Sequence, residues 1–577
     1  MKKTKWFAVS SFVAVSVLLA WGIRSYEDNK IPVVLEITPE MMAEAEEQKP
    51  LVFEEPYAYR DSVAPRKNSV VKAGRQILGK EFADSSAIGG DGYGGKGRIA
   101  KRKAYLGSGH YKYPPAWGPP SYQEENLSKQ VSEEPLSTFS LDVDTASYSK
   151  LRDSLAAGQL PYAEMIRIEE MVNYFSYDYA PPEGAQPLAV SFEMAQTPWN
   201  KQSRLLRIAV KSKEVSKEER PASNLVFLVD TSGSMAEYNK LPLVKKSLNL
   251  LVDELRPQDR VALVVYAGSA GVYLNSTSGG EKTKIKAAIA AMNADGTTNG
   301  SGGIELAYKI ASKNFIRNGI NRVILATDGD FNVGISNSKE LEGFIAEKAK
   351  SGVFLSVLGF GMRAYNDETI LALANKGNGN YGFVDNLREG RKYLVEQAAG
   401  TLMTVAKDVK AQVEFDPRYV SKYRLVGYEK RKLNNEDFAN DAKDAGDVGA
   451  GHTVTVFYEV FMNPKVENEI RIASVKLRYK KPQGSTSELI EAPVVHEDKA
   501  FAKASGDFQF AASVVELGQI LRGSIYKGTG TFDQVLEIAM GHTQVRGQED
   551  SYRKEFLELV KKAKDRKNRR DPVFGGL

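Results

Sequence analysis

Cysteine is absent from all 577 residues. That excludes disulfides, thiolate nucleophiles, thiolate zinc sites and a lipidated cysteine anchor, and leaves the redox compartment unmarked. Histidine is scarce: His110, His452, His496 and His542 stand far apart with no ligand spacing and are read as surface or core residues. An excess of one charge is also missing. Seventy-eight Lys and Arg against 73 Asp and Glu leave a net charge of +5, which by itself argues neither for nor against nucleic acid. No P-loop, G-x-S-x-G or H-E-x-x-H stands in the chain.

What is present suggests about three or four folded units for a chain of this length. At 42% hydrophobic and 26% charged residues, most of it can fold as ordinary soluble domains. Lys2, Lys3 and Lys5 precede an uncharged apolar run over 6–23, with Arg24 behind it. The pattern predicts a signal peptide or membrane anchor over 1–26 and an exported protein. The serines make the run a mediocre span, and Ala20–Gly22 is a poor cleavage signal, so cleavage and anchoring both stay open.

Residues 27–134 are rich in Gly, Ser, Tyr and Pro without helical or strand period, as in "GGDGYGGKGRIAKRKAYLGSGHYKYPPAWGPPSY". Such a stretch buries too little apolar surface to offset its ordering entropy, and is read as a disordered linker. A helical and β segment follows over 135–221. Met165, Ile168, Met171, Val172 and Phe175 recur at helical steps, and strand-like runs occupy 188–199 and 204–213.

Over 222–406 apolar strands alternate with amphipathic helices. "NLVFLV", "VALVVY", "RVILAT", "VFLSVL" and "YGFV" are the strands; helices are expected at 240–255, 283–292, 303–317, 339–350, 367–375 and 387–405. This alternation predicts an α/β, doubly wound, mainly parallel sheet buried on both faces. Polar–apolar alternation returns in "AQVEFDP", "YRLVGYE", "HTVTVFYEVF" and "IASVKLRYKK", so 407–500 is expected to form an antiparallel β-sandwich with 186–215, into which the α/β region is inserted. Residues 501–577 read as two helices and a basic tail.

"VFLVDTSGSM" (226–235) ends a buried strand in a carboxylate followed by two alternating serines, Ser232 and Ser234. "DGTTNGSGG" carries Thr298 ahead of a helix, and "ILATDGD" sets Asp328 just past a strand. All three loops should open on one rim of the sheet, where ligands bind in such folds. Two carboxylates and three hydroxyls, without imidazole or thiolate, form a hard-oxygen set suited to Mg²⁺, or Mn²⁺ or Ca²⁺, and poor for zinc. Few formal charges keep the ion electrophilic and leave a position for a partner's carboxylate.

Asp230, Ser232 and Ser234 with Thr298 and Asp328 resemble the metal-ion-dependent adhesion site of von Willebrand factor type A (vWA) domains. The strand context and the "VLGFG" stretch agree over about 180 residues of the chain. "PLSTFSLDVDTASYSKLR", "RIEEMVNYFSYDY" and "YRLVGYEKRKL" resemble flanking segments of one bacterial subfamily, so the likeness runs from about residue 135 onward. The resemblance implies metal-dependent protein adhesion or scaffolding, with no catalytic activity. The open metal position predicts a partner protein offering Asp or Glu, the N-terminal segment predicts membrane contact, and no nucleic acid is expected.

Competing chemistry is weaker. An aspartic protease would need a second Asp-Thr/Ser-Gly in a β-rich cleft. "DGDFNVG" from Asp328 fails as a calcium loop, because Val333 takes the required Gly position and Lys339 the bidentate Glu. "SLDVDTAS" offers Asp142 and Asp144 in the arrangement of haloacid-dehalogenase phosphatases, but its leading strand is short and polar; the bland reading is Asp144 or Ser147 capping the next helix. A phosphatase at Asp142/Asp144 and a metal-independent envelope scaffold remain the alternatives.

Overall fold

The β-type runs on either side of the alternating region pair with each other. The computed structural model describes residues 124–570 except 142–143, 217, 268, 295–300, 330–337, 362–366, 398–401 and 483. The expected export segment and residues 27–123 of the expected linker lie outside that range. Residues 124–134, read as the linker's end, are held in the fold: Asn126 Nδ2 donates to the carbonyls of Leu425 (3.1 Å) and Gly427 (2.6 Å).

Before the alternating region come β1 (Lys129–Gln130), β2 (Leu136–Ser140), α1 (Ala146–Ala156), α2 (Ile168–Asn173), β3 (Leu188–Thr197) and β4 (Asn200–Ser212). Then follow β5 (Ser223–Asp230), α3 (Leu241–Asp253), β6 (Arg260–Tyr266), β7 (Ala270–Ser278), α4 (Lys282–Ala291), α5 (Ser301–Lys313), β8 (Ile320–Thr327), α6 (Ser338–Lys350), β9 (Phe354–Phe360), α7 (Asp367–Lys376), β10 (Tyr381–Val384) and α8 (Leu387–Arg391). The chain ends with β11 (Thr404–Phe415), β12 (Val420–Val426), β13 (Gly446–Gly449), β14 (Thr453–Met462), β15 (Arg471–Lys480), β16 (Ser487–Val495), α9 (Gly506–Arg522), α10 (Phe532–Met540) and α11 (Ser551–Arg570).

Two antiparallel sheets form the sandwich. One runs β1-β12-β14-β4-β3; the other runs β13-β11-β15-β16, with β2 also beside β11. Successive side chains on a strand point to opposite faces. Leu206, Ile208 and Val210 of β4 therefore meet Val413, Val475 and Leu477 of the facing sheet in one core. Leu205 and Ala209 point the other way and meet Phe508, Val515 and Phe556 of the C-terminal helices. The sheet holding β4 is thus covered on both faces.

The chain leaves this body after Ser212 and returns at Thr404 beside a single residue. Ser212 Oγ donates to the Gly449 carbonyl (2.6 Å), and Thr404 pairs with Gly449 across the ladder.

The intervening sheet has the order β10-β9-β8-β5-β6-β7. Every pairing in it is parallel except that of β7 with β6. Leu225, Phe227 and Val229 of β5 pack in one core with α3, while Val226 and Leu228 pack in another with α5. Burial on both faces explains the unbroken apolar run of β5. Antiparallel β7 on the sheet edge was not legible beforehand.

Several expected elements differ. Of the helix expected over 387–405, the described residues show α8 and a π-helical turn, Lys392–Glu396, while 404–415 is strand. Lys392 Nζ is drawn to the Tyr174 carbonyl (2.5 Å) and lies 3.4 Å from the Tyr174 ring centroid, and the alternating "TVAKDVKAQV" is claimed by the sheet. The helical spacing from Met165 breaks into a 3₁₀ turn, Ala163–Met165, and α2, because Ser147 Oγ accepts the Arg167 amide (3.0 Å). The C-terminal segment holds three helices rather than two, and the basic run forms the last turns of α11.

Candidate functional site

From β5 the chain builds outward through β6 to β7, then crosses back to place β8, β9 and β10 on the other side. The order therefore reverses between β5 and β8, and in such sheets ligands bind at the carboxyl ends of the strands at that switch point. Asp230 is the last residue of β5, and Asp328 follows the last residue of β8.

Asp230 is buried. Its Oδ1 accepts the Ser232 amide (2.9 Å); its Oδ2 accepts the hydroxyls of Tyr266 (3.3 Å) and Thr327 (3.4 Å), one from each neighbouring strand. Burial pushes the carboxyl up to about 6, against the bonds from Ser232 and Tyr266, and the Asp328 charge adds to the rise. A 3₁₀ turn, Gly233–Ala236, then brings the two serines together with their Oγ atoms 3.0 Å apart. Ser232 precedes this turn without spending its hydroxyl on a cap.

Lys240, unremarked in the sequence except as the start of a helix, belongs to the same rim. Its buried ammonium donates to the Ser234 carbonyl (2.9 Å) and to Asp328 Oδ2 (3.0 Å). Gly361, just past β9 at φ +56°, makes room for it: a Cβ there would lie 2.6 Å from Lys240 Cγ. The only sequence signal is a lysine at the mouth of an apolar helix six residues after Ser234.

The described part of the set fits a hard dication. Neighbouring oxygens of an octahedral Mg²⁺ lie about 2.9 Å apart, given bonds of about 2.0–2.1 Å. The serine hydroxyls stand at 3.0 Å. Asp230 has both oxygens engaged and acts as the support that aims Ser232. Thr298 lies outside the described residues. Among the described residues, no cluster of three or more His, Asp or Glu is placed to hold a metal.

Asp142 also lies outside the described residues. Asp144 is spent on structure: its Oδ1 accepts the Tyr381 amide (3.1 Å) and its Oδ2 pairs with Arg431 (2.9 Å). The expected capping does not occur. Thr145 precedes α1 without a side-chain cap, and Ser147 Oγ instead donates to the Met165 carbonyl (2.7 Å).

The doubly wound sheet, its switch point between β5 and β8 and the Asp-x-Ser-x-Ser turn define a vWA-domain protein. The model of the von Willebrand factor type A domain matches residues 224–397, one described as von Willebrand factor matches 121–207, and one described as the C-terminal part of uncharacterized protein YfbK matches 400–565. The chain is 44% identical over 493 residues to YfbK of Escherichia coli K12, covering 81% of this chain and 84% of that one. It belongs to the family of bacterial vWA-domain proteins that YfbK represents. It is also 24% identical over 327 residues to the uncharacterized protein sll0103 of Synechocystis, covering 55% and 76% of the two chains. A solved von Willebrand factor type A structure from Catenulispora acidiphila is similar at 15% identity and a TM-score of 0.38, over 66% of this chain and 91% of that one.

Proposed function

We propose that this protein captures other proteins through the β5/β8 rim in a divalent-cation-dependent way. The cation is Mg²⁺, with Mn²⁺ or Ca²⁺ as substitutes, and the captured group is an Asp or Glu carboxylate. Ser232, Ser234, Thr298 and Asp328 hold the ion, and Asp230 fixes the serine turn from behind. When bound, the ion supplies the positive charge that an acidic side chain seeks. The residues themselves do the positioning: the Ser232 amide locks onto Asp230, and the 3₁₀ turn aims both hydroxyls at one point.

The observation that carries this reading is the 3.0 Å separation of the Ser232 and Ser234 hydroxyls above a carboxylate fixed by both neighbouring strands. The vWA fold supports an interaction role in place of a catalytic one. The basic flank and apolar run over 6–23 support export to the cell envelope, with that segment as leader or anchor. Among the described residues, no helix is long and apolar enough to cross a membrane.

The test is capture from solubilised native envelope with Mg²⁺ or with excess chelator, using the native chain and Asp328→Ala. Capture lost on chelation and in the variant is expected. Undiminished capture in chelator would leave a metal-independent scaffold.

A further inference from the structure

Six arginines among the described residues are buried, and five have a carboxylate partner. Arg152 pairs with Asp385, Arg207 with Glu193, Arg220 with Asp259, Arg424 with Glu459 and Arg553 with Asp507. The sixth, Arg322, does not. It sits near the start of β8, at the end of the parallel sheet opposite Asp230, with 2% of its surface exposed. One terminal nitrogen donates to Ser356 Oγ (2.6 Å), the guanidinium lies 5.6 Å from the Phe354 ring centroid, and Nε has no hydrogen-bond partner. Burial pulls this guanidinium down to about 10. A buried cation without a counter-charge is costly, and structures supply one.

Arg322 lines a cavity of about 180 Å³ between the base of the vWA sheet and the β-sandwich. Lys430, Arg431 and Lys432 line the opposite wall, and Asn378 and Asn380 add amide groups. Two acids also line it, Asp444 and Asp447. Burial raises both, Asp447 to about 8, so at neutral pH it is mainly a neutral donor. Asp447 Oδ1 accepts the Asp408 amide (3.2 Å), while Oδ2 has no partner. Arg431 pairs with Asp144 (2.9 Å), and among the described residues no ion pair engages the exposed Lys432.

We propose that this cavity binds a phosphate group, with Arg322 as the buried anchor and the Lys430–Lys432 wall as the charge that draws it in. Guanidinium recognises tetrahedral oxyanions in a fork, and lysines add point charges. The volume admits a phosphate group with bridging waters. Because one wall belongs to the vWA domain and the other to the sandwich, the ligand would tie the two together. The inference is independent of the metal reading, since the two sites lie at opposite ends of the sheet.

Inorganic phosphate and glycerol phosphate, titrated separately into the full chain in chloride buffer, test it by calorimetry and thermal unfolding. Saturable one-to-one binding by at least one of them is expected, with a Tm rise of several degrees at saturation. Response to both identifies a free-phosphate site; response to the ester alone identifies an esterified ligand. Arg322→Met should lower affinity at least tenfold and, without phosphate, melt no lower than the native chain, since a lone buried charge has gone. If that variant does not fold, the double change Lys430→Gln and Lys432→Gln carries the test through a several-fold loss of affinity. No saturable binding by either compound, or affinity unchanged in the folded variants, overturns the assignment.

Discussion

Lys240 Nζ lies 3.0 Å from Asp328 Oδ2, so a side-chain cation already serves one of the carboxylates proposed to hold the metal. A dication entering the rim competes with that ammonium. Lys240→Met, close in length and apolar stem, removes the competitor. Affinity for Mg²⁺ or a luminescent Tb³⁺ probe should rise about tenfold, equivalent to about 1.4 kcal/mol. A fall in affinity would instead mark Lys240 as a support that orients Asp328.

Asp230 holds the serine turn through the Ser232 amide at 2.9 Å. Asp230→Asn keeps the shape and removes the charge. Supports of this kind typically contribute about 10–100-fold to metal affinity. Calorimetry should show a loss of that size with little change in Tm.

Arg152 joins three parts of the fold. From α1 it reaches Asp385 (2.5 Å), Glu389 (2.7 Å) and, on α11, Glu555 (3.3 Å), and it donates to the Tyr174 hydroxyl (3.0 Å). Arg152→Ala strands buried carboxylates and should cost about 3–5 kcal/mol. Arg152→Lys should not restore the loss, because an ammonium lacks the planar fork. Denaturant midpoints of both variants check this.

Glu516 is fully buried in α9, with Oε1 accepting the Thr531 amide (3.1 Å) and Oε2 without a partner. Burial raises its carboxyl to about 7. The folded chain therefore holds this proton more tightly than the unfolded chain. The stability it contributes is full below the unfolded value near about 4.3 and is lost as pH rises through about 7. Glu516→Gln should match the native chain near pH 4 and exceed it at pH 8 by an amount on the order of 3 kcal/mol. Urea unfolding at the two pH values measures the difference.

The sequence carried the parallel sheet because apolar strands and amphipathic helices largely alternate from Leu225 to Val384, the antiparallel β7 being the exception it hid. Asp230, Ser232, Ser234 and Asp328 were legible because residue type and strand-end position coincide. Lys240 was not, since its approach to Asp328 depends on a glycine more than a hundred residues later, Gly361. The end of the helix expected over 387–405 was misplaced because the strand from Thr404 answers to partners far along in sequence. Arg322 was invisible for the same reason: nothing local tells a buried arginine with a carboxylate from one without.

Both ends of the vWA segment meet at Gly449, where Ser212 and Thr404 stand on either side of one backbone position. Bridging that gap needs only a short loop, and the entropy of closing loops grows slowly with length. The body can therefore tolerate exchange of the entire intervening piece for a homologous one, as a tool handle accepts different heads. Swapping in this way would change what the protein grips, and would keep how it is mounted where the new piece again offers Arg152 the carboxylates that Asp385 and Glu389 supply.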